Sequence, residues 1–183
     1  MNQEVVHGIP DKHRIIHEGD IVSLDAGVIY KGYHSDAART HAVGEVSEEA
    51  KKLIQVTKEC FFEGIKYAKA GNHLFDISGA IGRYAEERGY GVVRDLCGHG
   101  IGTALHEAPE IPNYEVGRKG VKLRPGMTLA IEPMINIGTY EVDWLDDDWT
   151  VVTRDGSLSA HYENTILITE GEPRILSLTC DNE

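Results

Sequence analysis

Two periods of apolar and polar residues alternate along the chain. From Ile21 to Thr40 it reads IVSLDAGVIY, then Lys31-Gly32, then YHSDAART, two β-rich runs around a two-residue turn signal. This pattern predicts an antiparallel hairpin. With Tyr30 opposite Tyr33, Asp25 faces Ala38 and Asp36 faces Gly27. Side chains alternate along a strand, so the two aspartates project from one face as diagonal neighbours. The period then lengthens. Ser47 and the acidic pair Glu48 and Glu49 open a stretch in which Leu53, Val56, Cys60, Phe61, Ile65 and Ala68 recur at helical spacing before Gly71, as an amphipathic helix requires. A second helix is predicted over Leu74 to Arg88, with Ile77, Ala80, Ile81 and Tyr84 as its buried stripe and Gly89 as its stop. From Tyr90 to Leu178 the pattern returns to short β-rich runs, VVRDLCG, MTLAIEPMINIG, WTVVTRDG and SAHYENTILIT, broken by Gly, Pro and Asp. Strands, then helices, then strands predict an α+β domain, a curved antiparallel sheet with helices on one face.

Composition narrows the function. The 183 residues suit a single domain over 1–183, and 41% hydrophobic residues support a core. A formal charge of −12 repels phosphate backbones and anionic lipid, which argues against nucleic acid or membrane as the main partner and suits metal cations. Cys60, Cys97 and Cys180 are odd in number and form no C-x-x-C pair, favouring a reducing compartment over a disulfide framework. The opening MNQEVVHGIPDKHRIIHEGD holds no apolar leader core, and no run approaches the apolar length of a membrane span. The expectation is a soluble, cytoplasmic protein.

The candidate chemistry lies on the β-type segments. Without a counter-ion, Asp25 and Asp36 on one face repel, and one must take up a proton; a divalent cation between them removes the conflict. Asp25 is flanked by Leu24 and Ala26, in a run where an unpaired charge is costly to bury. His99 sits in CGHGIG, where glycines on both sides let the backbone approach a ligand closely. Glu132, in LAIEPM, and Glu163, in AHYENTILI, are acids within apolar runs. Each alone has an ordinary explanation, as a turn histidine, a strand-end acid or a surface acid. Together they make four carboxylates and one imidazole that something cationic would collect. Such an oxygen-rich set without thiolate favours manganese, iron(II), cobalt or magnesium over a structural zinc site. Four carboxylates exceed what one ion normally takes, so two ions are the better count.

Longer runs carry a resemblance: EVVHGIP (4–10), GDIVSLDAG with HSDAART, CGHGIGTALHEAPEIPNY (97–114), LRPGMTLAIEPMIN (123–136) and WTVVTRDGSLSAHYENTILIT (149–169). With these the chain resembles the type I methionine aminopeptidases, dinuclear metallopeptidases with the pita-bread fold, a curved antiparallel sheet with helices on its outer face. The resemblance implies two divalent ions, cobalt, manganese, iron(II) or zinc, held by Asp25, Asp36, His99, Glu132 and Glu163. It implies removal of the N-terminal methionine from nascent proteins, with a preference for a small second residue, by attack of a metal-bridging hydroxide on the first peptide bond. His106 falls on the carbonyl side of that bond and His7 on the amide-nitrogen side, while Glu132 takes the proton of the attacking water. Leu105 and Trp149 fall where the family lines its methionine pocket. Partners implied are N-terminal peptides of nascent proteins, in proximity to the ribosome; the family is monomeric.

The chain departs from the family's pattern at its start. The family carries several dozen residues ahead of HGIP, an opening helical segment and the first strands, whereas here Met1 stands just before EVVHGIP. The expectation is an N-terminally truncated domain that lacks one wall of the methionine pocket, leaves the Asp25 hairpin without a sheet neighbour, self-associates and turns over poorly. Smaller departures are Leu105 where phenylalanine is usual, His161 where glutamine is typical and Asp148 where glycine is common. Competing readings are a catalytically impaired pita-bread fragment, a peptide-binding module, and a proline-directed aminopeptidase of the same fold. All five ligand positions are intact, against a non-catalytic module. The HGIP motif and the GHGIG-to-HEAP spacing favour methionine over proline specificity.

Overall fold

A computed structural model describes residues 1–178; Cys180 lies outside them. In chain order the elements are β1 (Glu4–Val6), β2 (Ile21–Tyr30), β3 (Tyr33–Ala42), α1 (Glu48–Ile65), α2 (Leu74–Glu86), β4 (Gly91–Val92), β5 (Gly98–Gly100), β6 (Glu107–Ile111), β7 (Thr128–Ile131), β8 (Met134–Asn136), β9 (Val142–Trp144), β10 (Val151–Thr153), β11 (Ser159–His161), β12 (Asn164–Leu167) and β13 (Arg174–Ile175). No helix among the described residues is long and apolar enough to cross a membrane.

The hairpin β2–β3 has the predicted register, Asp25 opposite Ala38 and Gly27 opposite Asp36. Lys31 at φ 51° and Gly32 at φ 82° both occupy the left-handed region, which the two-residue hairpin turn demands. The hairpin stands as a two-stranded sheet, and Leu24, Val28 and Tyr30, on the face opposite Asp25, are 60%, 59% and 70% exposed.

Helix α1 starts where the sequence predicts: the Ser47 hydroxyl accepts from the Ala50 N–H at 3.1 Å, relieving a donor that the first turn leaves unpaired. It ends at Ile65, short of Ala68, which is buried in the turn that follows. Helix α2 opens with the His73 N–H donating to Asp76 Oδ2 at 2.8 Å and stops at Glu86, two residues before Arg88, ahead of Gly89 at φ 83°. The helices cross closely at Gly64, where a Cβ would come within 2.6 Å of Ile81 Cγ1.

Five strands in the order β13-β12-β7-β5-β6 form the largest sheet; β1-β10-β9, β11-β8-β4 and the hairpin complete an all-antiparallel arrangement. Leu53, Phe61, Leu74, Ile77 and Ile81 of the helices pack with Leu129, Ile131 and Ile166 of the sheet in one core. Val5, Val93, Met134, Val142 and Val151 form a second. At this spacing each buried aliphatic side chain contributes about 1.5–3 kcal/mol, which fixes the strands that carry the site.

Two of the side-chain fastenings that hold the hairpin lie beside Glu163. The Thr165 hydroxyl accepts from the Asp36 N–H at 2.8 Å and donates to the Asp36 carbonyl at 3.0 Å. The Arg39 guanidinium donates to the Ala38 and Glu163 carbonyls and to Asn164 Oδ1, and lies 4.1 Å from the Tyr162 ring centroid.

Candidate active site

Asp25 comes from β2, Asp36 from β3, His99 from the middle of β5, Glu132 from the break between β7 and β8, and Glu163 from the turn between β11 and β12. All five, with His7, Cys97, His106 and His161, line one cavity of about 890 Å³. Donor atoms of Asp36, His99 and Glu163 all lie within 4.8 Å of one another. The local sequence explains this convergence. Gly98 and Gly100 leave no room for a Cβ against the Ala130 and Ala108 carbonyls, so only glycine lets β5 lie between β6 and β7 and carry His99 inward. Pro133 follows Glu132 where β7 gives way to β8, and the missing N–H of proline suits such a break.

The electrostatics are those of acids crowded together. Burial, followed by the charge of Asp36, pushes Asp25 up to about 6. Glu163 is pushed up to about 10 by burial and then by Glu132, Asp36 and Asp25. Burial and the charges of Asp25 and Asp36 likewise hold Glu132 well above the usual carboxylate range. Glu163 is therefore protonated at neutral pH unless a cation joins it, and Asp25 and Glu132 hold their protons to higher pH than ordinary carboxylates.

Three further observations fit a metal. Glu163 Oε1 is buried and has no hydrogen-bond partner. His99 Nδ1 lies 2.8 Å from the Gly100 carbonyl; a carbonyl only accepts, so the proton is on Nδ1 and Nε2 offers a lone pair. That lone pair faces Glu132 Oε1 at 3.5 Å, two acceptors opposed across a gap a cation would fill. Burial also lowers the His99 pKa, favouring the neutral, ligating ring.

The outer residues separate. His106 places its ring 4.3 Å from that of His99, edge to face. His7, at φ 61°, stacks on Trp149 at 4.6 Å and 21°. Trp149 and Leu105 are not in the cavity wall; Trp149 is 57% exposed, and Leu105 lies against the hairpin at Gly27. Asp147 explains the stack. Its carboxylate accepts from the N–H groups of Trp149 and Thr150 at 2.9 and 2.8 Å and from the Thr150 hydroxyl at 2.6 Å, and Thr150 Oγ1 also lies 3.3 Å from the His7 carbonyl. Asp148 in this turn sits at φ 55°, a conformation that glycine adopts at less cost.

The sequence shows an acidic turn here, in WLDDDWT, without giving it a part in the site, and the inward aim of His161 was missed. Burial drives His161 down to about 3, leaving a neutral ring whose Nε2 has no hydrogen-bond partner. Only its departure from glutamine marked the position in advance.

Comparison with known proteins places the geometry. The metallopeptidase family M24 matches residues 1–170. A methionine aminopeptidase of Clostridium acetobutylicum is 61% identical over 178 residues, 97% of this chain and 71% of that protein. The crystal structure of methionine aminopeptidase from Thermotoga maritima superposes with a TM-score of 0.95 at 50% identity, covering 97% of this chain and 72% of the other. Prolidase from Pyrococcus furiosus is a more distant likeness, with a TM-score of 0.68 at 30% identity over 90% of this chain and 43% of that one.

Proposed function

The chain belongs to metallopeptidase family M24, and on that premise we propose that it is a methionine aminopeptidase with the pita-bread fold, cleaving the first peptide bond of chains that begin with methionine. One observation carries the reading: four carboxylates and one imidazole converge on a single cavity in a chain 61% identical to a methionine aminopeptidase. The lower identity and TM-score of the prolidase favour methionine over proline specificity.

Asp25, Asp36, His99, Glu132 and Glu163 would hold the divalent metal of the family, and four carboxylates favour two ions. Bound there, the metal offsets the repulsion among the acids and supplies Lewis acidity to a substrate carbonyl and a water. Glu132, ionised in that state, accepts the proton of the attacking water. His106, beside His99, donates to the scissile carbonyl oxygen as it gains negative charge. His7, its ring held against Trp149, passes a proton to the departing nitrogen and regains one from the proton that Glu132 took from the water. The water oxygen bonds to the carbonyl carbon, the C–N bond breaks, and methionine and a shortened chain with a free amine leave. On this reading residues 1–183 act as one catalytic domain on nascent chains, in the cytoplasm and beside the ribosome. The exposed apolar face of the hairpin supports self-association.

The test is a peptide panel. Metal-loaded protein should release methionine from Met-Ala and Met-Gly peptides and leave Ala-Pro peptides intact. Cleavage before proline without methionine release would reassign it to the proline-directed branch.

A further inference from the structure

We propose that His161 is a positioning residue for Glu132: its Nε2–H holds Glu132 Oε2, leaving Oε1 to face the metal cluster beside His99. The inference rests on the metallopeptidase reading, because it matters only if Glu132 is a ligand.

His161 ends β11, two residues before Glu163, and is 2% exposed. Its backbone is pinned to the hairpin: the His161 N–H donates to Thr40 Oγ1 at 2.8 Å, Thr40 Oγ1 lies 3.0 Å from the His161 carbonyl, and Ser23 Oγ lies 2.9 Å from the same hydroxyl. The ring thus has little freedom to leave the site. It lines both the main cavity and a neighbouring one of about 660 Å³, as do Val6, His7 and Asp25, and so forms part of the partition between the two.

The ring's chemistry in that place is specific. Nε2 is buried without a hydrogen-bond partner, a state that native interiors rarely tolerate. The carboxylate it faces is Glu132, with Oε2 at 3.8 Å. A closure of under about 1 Å makes this a hydrogen bond. The same carboxylate presents Oε1 to His99 Nε2 at 3.5 Å. Glu132 therefore lies between two imidazoles: His99 offers a lone pair, and in the proposed arrangement His161 offers its Nε2 proton. An outer donor of this kind fixes which carboxylate oxygen ligates and commonly contributes 10–100-fold to metal affinity. Glutamine at this position also presents an N–H, so the role survives that exchange, whereas an aliphatic side chain abolishes it.

The experiment is calorimetric titration of Mn(II) into chelator-stripped parent, His161→Leu, His161→Met and His161→Gln proteins. Thermal melts of the metal-free forms and the visible absorption spectrum of the Co(II) forms accompany it. The expected result is about 10–100-fold weaker binding in the Leu and Met variants, affinity within about threefold of the parent in the Gln variant, and metal-free melting points that are not lowered. Unchanged affinity in both aliphatic variants overturns the proposal while leaving the metallopeptidase reading intact. Equal losses in Leu, Met and Gln variants, with a Co(II) spectrum altered alike in all three, make His161 a ligand and also overturn it. A parent that binds no metal brings down the functional reading first.

Discussion

Glu163 is 2% exposed in a cavity it shares with Asp25, Asp36 and Glu132, and this crowding makes metal binding a proton-releasing event. Because Glu163 is raised to about 10, the metal-free protein carries a proton at pH 7 that a cation must displace. Apparent metal affinity should therefore rise with pH, roughly tenfold per pH unit for each proton released. Calorimetry at pH 7 in buffers of different ionisation heat checks this through a buffer-dependent enthalpy. The stability sign follows from linkage. Groups raised in the folded state bind more protons there than in the unfolded chain, so their contribution is full below the ordinary carboxylate pKa and is lost as pH climbs through the folded value. Metal-free protein should thus melt lower at pH 9 than at pH 7. His161, lowered to about 3, makes its contribution above its ordinary value of 6.5 and stays level across that window. The two inner histidines should divide by role. His99→Ala should weaken metal binding, whereas His106→Ala should lower kcat about 10²–10⁴-fold with metal affinity kept; calorimetry and steady-state kinetics on a Met-Ala peptide check both.

At the scale of elements, the clearest parts of the sequence were those in which neighbours in the chain are neighbours in space. The register of β2–β3 was legible because Lys31-Gly32 allows one tight turn, and everything else follows by alternation. Helix starts were legible from Ser47 and from the apolar stripe, while helix ends ran two or three residues long because Ala68 and Arg88 continue the composition beyond the last helical hydrogen bond. Strands β1, β9 and β13 span only three, three and two residues, too short to show a period. Asp25, Glu132 and Glu163 stood out because an acid in an apolar run is unusual wherever it falls, Asp36 by its register with Asp25, and His99 by its flanking glycines; the structure brings all five to one cavity. Contacts between distant segments were not: Trp149 read as pocket lining, yet it stacks on a ring 142 positions earlier, held by the Asp147 turn. That turn yields a prediction of its own. Thr150→Val removes the bond to Asp147 and the contact with the His7 carbonyl, so kcat on Met-Ala peptides should fall roughly tenfold through misplacement of His7. Metal affinity, measured by calorimetry, should stay unchanged.

At the scale of the whole molecule, the site exists only because two parts of the chain meet. The hairpin brings Asp25 and Asp36, and the main sheet and its neighbours bring His99, Glu132 and Glu163. Arg39 and Thr165 are two of the fasteners. Arg39→Ala leaves the Ala38 and Glu163 carbonyls and Asn164 Oδ1 without that donor, at a cost of about 1–3 kcal/mol. Thermal melts should show the loss, and because the hairpin then sits less firmly, calorimetry should show weaker metal binding as well. A variant that melts lower yet binds metal as tightly as the parent would show that Arg39 does not help to position the hairpin's aspartates.

The central claim is that five side chains gathered from both parts form a divalent-metal centre on which methionine release depends. The most direct measurement follows methionine release from a Met-Ala peptide while Mn(II) or Co(II) is added back to chelator-stripped protein, with metal per chain counted by elemental analysis at each step. No release should occur without metal, and activity should return as occupancy rises towards two ions per chain. Release that persists undiminished in stripped protein, or a folded chain that takes up no metal, would contradict it.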